Sequence, residues 1–341
     1  MHGRRRRRGS SVGLTLAVLV LVLGVVAAIV IVVLSTGDDG AQPPPVAAPA
    51  EPSPPTQQLS WHTIVLDPRT GYTATVRTSD VGRQTLTAQN LAFGDGDKRR
   101  YGGEVTVYEA GRFDPARLRD ATPLAVRDHQ ASLVTDFTFP ESTSGDGRPY
   151  RTEVIGWQDV SGVWVLVYAA PGTTVSRDEL LRFADTVTVG ERADLRAPFR
   201  LGPLPAGLTP TYLRSAAVET GRSLATMGLS AADRRPSDAA GYDAPPPGTA
   251  VSIKAAVPGP DDPRKPPDFT VAGHDAWYTT GPNALTAEGT GGRLTVTAGG
   301  CTLTVDAADR ERTPRAALQR IVEGMTIGDC HQPDTWISPL S

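Results

Sequence analysis

One pattern occurs twice in this chain, and it limits the available folds more than any other feature. Ser176-Arg-Asp-Glu-Leu-Leu-Arg-Phe-Ala-Asp-Thr-Val-Thr-Val-Gly190 aligns with Pro314-Arg-Ala-Ala-Leu-Gln-Arg-Ile-Val-Glu-Gly-Met-Thr-Ile-Gly328 at an offset of 138 residues. Leu180, Phe183, Ala184 and Val187 then fall on Leu318, Ile321, Val322 and Met325, the i, i+3, i+4, i+7 stripe of a short helix. Ser176 with Glu179 predicts a capping box, and Thr313 before Pro314 at the first helical position predicts a matching start. The same offset lays Val163-Trp-Val-Leu-Val167 on Cys301-Thr-Leu-Thr-Val305, a candidate strand ahead of each helix. Upstream, Val126-Arg-Asp-His-Gln-Ala131 matches Val271-Ala-Gly-His-Asp-Ala276 at an offset of 145, and Gly82-Arg83 matches Gly221-Arg222.

Between these marks the chain reads as short strands, among them 72–78, 84–93, 104–108, 151–158, 211–218, 251–257, 269–272 and 293–297. Turn clusters such as Gly94-Asp-Gly-Asp97 and Ser144-Gly-Asp-Gly147 separate several of them. The expectation is an α+β fold with two duplicated lobes, 60–192 and 193–341. Each is an antiparallel sheet with a C-terminal helix, and each is long enough to bury a core of its own.

The first sixty residues point to a membrane. Arg4 to Arg8 is an unbroken basic run, and the 22 residues 13–34 that follow carry no charge. At ~1.5 Å per residue they reach roughly 33 Å, enough to cross a hydrocarbon core of ~30 Å. The arginines hold residues 1–12 in the cytoplasm, so the expected arrangement is a single-pass signal anchor at 13–34 with the body outside. The run is longer than a signal-peptide core, and Ala48-Pro49-Ala50 is a poor and distant cleavage site. Residues 35–59, with Gln42-Pro-Pro-Pro and Glu51-Pro-Ser-Pro-Pro, read as a polyproline-type linker.

Charge narrows the partners. The whole chain carries −3, and setting aside the five N-terminal arginines leaves about −8 on the exported part. An acidic body argues against nucleic acid. A single apolar run excludes a polytopic transporter, and two cysteines exclude a disulfide-dense miniprotein.

The strand–turn–strand–helix ending, with Trp157 and Trp164 ahead of Ser176-x-x-Glu-Leu-Leu, resembles small extracytoplasmic α+β domains of actinobacterial membrane proteins. Envelope sensors and anti-sigma-factor ectodomains are among them. The resemblance covers about forty residues per lobe and implies a membrane-anchored domain outside the cell. A regulator's function does not follow, because some twelve cytoplasmic residues are too few to form a sigma-binding domain.

No nucleophile elbow, Walker loop or dinucleotide fingerprint occurs, no cofactor is implied, and an enzyme is not expected. Asp261-Asp262 lies in a proline-rich loop unsuited to acid–base work, and Gly94-Asp-Gly-Asp97-Lys98 lacks the spacing of a calcium loop. Cys301 and Cys330, both beyond the apolar run, predict one structural disulfide. His129 and His274 stand at matching places and Trp157, Trp164, Trp277 and Tyr278 are large aromatics, so these six are the candidate binding surface. The expected function is an anchored binding or scaffolding protein of the cell envelope, its partner another envelope protein. A carrier or sensor of a lipid or cell-wall fragment and an extracytoplasmic hydrolase are the alternatives.

Overall fold

Runs of β-branched and small residues in period two build most of the body, and glycine turns close its hairpins. The computed structural model describes residues 59, 61–90, 102–143, 149–169, 175–193, 195–216, 224–231, 246–259 and 265–340. The first half runs β1 (Trp61–Leu66), β2 (Tyr72–Asp80), β3 (Arg83–Asn90), β4 (Gly102–Tyr108), β5 (Thr122–Val126), β6 (His129–Thr143), β7 (Pro149–Gln158), β8 (Trp164–Ala169), α1 (Arg177–Ala184) and β9 (Val187–Ala193). The second runs β10 (Phe199–Arg200), β11 (Leu208–Ala216), β12 (Leu224–Ala231), β13 (Val251–Ala256), β14 (Phe269–Val271), β15 (His274–Thr280), β16 (Gly292–Ala298), β17 (Cys301–Ala307), α2 (Arg315–Glu323) and β18 (Thr326–Ile327).

Fourteen of these strands form one antiparallel sheet in the order β14-β15-β16-β17-β13-β12-β11-β2-β3-β4-β8-β7-β6-β5. The order reads the same outward from the β2–β11 junction on either side. Register makes the correspondence residue by residue. Arg77, Leu86, Val105, Val167, Ile155 and Leu133 lie opposite one another across six strands of the first half. Leu213, Met227, Ile253, Val305, Leu294 and Tyr278 do so in the second. The bulge at Thr75 in β2 then falls on the bulge at Thr211 in β11. At the junction Arg77 faces Ser215, Thr78 faces Arg214 and Ser79 faces Leu213, so a local two-fold axis passes through the Thr78–Arg214 pair.

This architecture corrects the expected α+β class. Among the described residues the protein is mostly β, the helices α1 and α2 have eight and nine residues, and the two halves share a single sheet rather than forming separate lobes. The reason is the β2–β11 ladder: each half ends in a strand with free N–H and C=O groups, and the two strands satisfy one another. Among the described residues no helix is long and apolar enough to cross a membrane, and the run at 13–34 lies outside them.

One face of the sheet carries the main core. Leu86, Val105, Ile155 and Val167, with Met227, Ile253, Leu294 and Val305, are fully buried there. Leu180, Phe183 and Ala184 of α1 and Leu318, Ile321 and Val322 of α2 belong to the same core. The capping box of α1 forms, with Glu179 accepting from the Ser176 backbone and Ser176 Oγ accepting from the Glu179 N–H. The other helix starts differently: Pro314 is its N-cap, with no side-chain cap bond. Size is also exchanged between halves. In the first, Gly103 leaves room for the Phe183 ring, whose Cε1 lies 2.1 Å from where a Cβ would stand. In the second, the matching places hold Val251 and Ile321, both buried.

The disulfide Cys301–Cys330 forms, with Cα atoms 5.3 Å apart. It fixes the start of a C-terminal strap. Beyond it the strap returns along β10: Ala197 and Ile337 exchange backbone hydrogen bonds at 2.9 and 3.1 Å, Leu201 donates to the Pro339 carbonyl, and Trp336 is buried.

Candidate binding face

The opposite face of the sheet differs between the halves. In the first half it is sealed by an aromatic layer of Tyr108, Phe113, Phe137, Phe139 and Tyr168 with Leu118, Val154 and Leu166. The 3-10 turn Pro115–Leu118 brings Leu118 over Gly156, where any side chain would collide with it. Arg117 crosses the Phe137 ring 4.5 Å from its centroid and donates to the Thr138 carbonyl.

Polar residues stand at the matching sheet positions of the second half. Leu166, Val154, Trp164 and Tyr168 correspond to Thr304, Arg293, Thr302 and Asp306, and among the described residues no 3-10 turn lies between β13 and β14. Opposed across four strands, Thr295, Thr304, Lys254 and Thr226 make a row about 15 Å wide at ~4.8 Å per strand. Trp277 ends the row on β15, its indole N–H shared by the Lys265 and Pro266 carbonyls at 3.0 Å.

The charges of this face are unequally spent. Arg293 donates to Asp306 through Nε at 2.7 Å and Nη2 at 3.1 Å, which raises the affinity of that guanidinium for its proton. At the centre Arg83 holds Asp80 at 2.8 Å. Both carboxylates are therefore neutralised, while Lys254 is exposed and forms no ion pair among the described residues. A cation beside hydroxyls can bind an acidic, hydrogen-bonding surface.

The six candidate residues do not form one site. Trp157 is buried and stacks on His129 with ring centroids 5.7 Å apart. Trp164 packs in the aromatic layer, 5.2 Å from Phe113. Trp277 and Tyr278, consecutive in β15, point to opposite faces, and Tyr278 joins the main core. Arg315 of α2 lies 5.9 Å from the Tyr278 ring and 3.6 Å from Phe269. His274 pairs with Val271 just as His129 pairs with Val126, far out on opposite wings of the sheet. Asp261-Asp262 and Gly94–Lys98 lie outside the described residues.

Sequence reasoning missed Glu104, the most perturbed carboxyl among the described residues. Burial pushes it up to about 7, against hydrogen bonds from Tyr168 and Thr87 and the field of Arg83, which act the other way. In the alternation Glu104-Val-Thr-Val107 it occupies the polar phase and reads as solvent-facing. Only the aromatic layer, assembled from distant segments, turns that phase into an interior.

No known protein-family model matches this chain, and comparison with curated proteins returns none similar to it.

Proposed function

We propose that this chain is an anchored protein of the cell envelope, held by residues 13–34 with its body outside. Its polar second-half face binds an acidic segment of another envelope protein. The observation that carries the reading is the contrast between a polar row with Lys254 exposed at its middle and an aromatic layer at the matching place on the same scaffold. A solvated sheet face needs no such difference between copies. The oxidised Cys301–Cys330 pair supports an exported body, because such bonds persist in oxidising compartments. The five arginines before the uncharged run support the orientation.

The test has two arms. Protease added to intact cells should digest the body, and protection of residues 57–341 defeats the placement. Photo-crosslinking from a residue beside Lys254 should then capture one partner, and Lys254→Glu should reduce the yield at least tenfold. An unchanged yield with Lys254→Glu defeats the assignment of the face.

A further inference from the structure

Glu104 stands where a chain rarely places a carboxyl: in the middle of a sheet, beneath a layer of aromatic rings, 4 % exposed. Its neighbours across the sheet are Thr87 on β3 and Tyr168 on β8. Thr87 Oγ1 donates to Glu104 Oε1 at 3.3 Å. The Tyr168 hydroxyl, bonded to Glu104, also meets Thr106 Oγ1 at 2.9 Å, and Thr106 meets Thr85 at 3.0 Å. The charged and titratable groups facing it are few. Arg83 on β3 acts from a distance and is held by Asp80, Tyr150 on β7 gives its hydroxyl to the Ala169 carbonyl, and Tyr168 is itself pushed to a higher range by burial. No cation lies within ion-pairing distance of Glu104 among the described residues. Arg117, which crosses the Phe137 ring, is bonded to the Thr138 carbonyl.

The second half shows that the fold does not require this group. Ser252 occupies the matching place, and the buried carboxylate there, Asp306, has Arg293 as a bidentate partner. Among the described residues, only in the first half is a carboxyl interred without a cation. Such a group is tolerated as the neutral acid and becomes costly once ionised.

We propose that Glu104 is a proton-operated latch for the aromatic layer of the first half. As the neutral acid it completes the Thr87–Glu104–Tyr168–Thr106–Thr85 chain of hydrogen bonds and the layer stays closed. Loss of the proton places an uncompensated charge under Phe139 and Tyr168, whose rings are 4.6 Å apart, and the layer opens to admit water. The folded carboxyl holds its proton to about 7, whereas an unfolded glutamate releases it near its ordinary value of 4.5. Closure is therefore favoured below that window and lost as pH rises through neutrality.

Amide hydrogen exchange of the intact body between pH 5 and 9, corrected for intrinsic rates, tests the latch. Protection in β4 and β8 should fall by about a hundredfold across the range in the native protein, while Glu104→Gln stays protected throughout. Protection in β13 and β17 is expected to change little in either. Equal pH profiles for native protein and Glu104→Gln overturn the latch. Should Glu104→Gln fail to fold, infrared difference spectroscopy on the native protein decides the matter. A protonated buried carboxyl present at pH 6 and lost by pH 8.5 supports the latch, and its absence at pH 6 overturns it.

Discussion

The exchange of volume between Gly103 and Phe183 yields a sharp prediction. A Cβ at position 103 would lie 2.1, 2.4 and 2.6 Å from three atoms of the Phe183 ring, well inside any tolerable contact. The ring is 1 % exposed and also packs on Tyr72 at 4.6 Å, so it has nowhere to retreat. Overpacking of cores costs about 1–3 kcal/mol, and a displaced buried ring belongs at the upper end. Gly103→Val should therefore cost about 3 kcal/mol or more. Phe183→Ile alone leaves a cavity and should cost about 2 kcal/mol. The double variant installs the Val–Ile combination that the second half uses at Val251 and Ile321. It should be more stable than the sum of the single effects by at least about 2 kcal/mol. Urea denaturation of residues 57–341, with all four members of the cycle measured at one pH, gives the coupling directly. Additive effects within about 0.5 kcal/mol would refute the claim that the two halves solve one packing problem in two ways.

Three further outcomes follow from other parts of the body. Replacing both Cys301 and Cys330 with Ala should lower stability by about 3.5 kcal/mol on the chain-entropy account of a loop spanning 29 residues, and should first raise exchange at the Ile337 and Leu201 amides. Ser176→Ala, by removing the capping box of α1, should cost about 1 kcal/mol in a melt, whereas Pro314→Ala, with no side-chain cap bond to lose, should fall below that. Asp306→Asn leaves Arg293 half-buried beside a neutral amide and should cost about 2 kcal/mol, with the loss confined to the second half by hydrogen exchange.

Some of this fold is legible in the sequence because it is written in short range. The stripe Leu180, Phe183, Ala184 and the box Ser176–Glu179 lie within one helix and its cap, so spacing alone reveals them. The two cysteines need only an oxidising compartment to be paired. The sheet junction is different in kind. Arg77, Thr78 and Ser79 face residues some 136 positions away, and nothing in Tyr72–Asp80 says which strand completes it. An α+β reading follows when each repeat is closed on itself; the shared ladder makes one β structure instead. The aromatic layer is equally non-local, since Phe113, Phe137 and Tyr168 come from three separated segments. Glu104 and the row at Lys254 were hidden for that reason. Both occupy polar phases of ordinary strands, and only what lies above them distinguishes an interior from a surface.

The axis through Thr78 and Arg214 has one more consequence. Two identical subunits joined by such a ladder must carry every substitution twice, so a change that improves one surface alters the other in the same stroke. Joined in one polypeptide, the copies are released from that constraint while the ladder still holds them together at any dilution. Leu166 and Thr304, or Glu104 and Ser252, can then drift apart without either needing to suit both places. The chain has the symmetry of a dimer and the freedom of two different proteins.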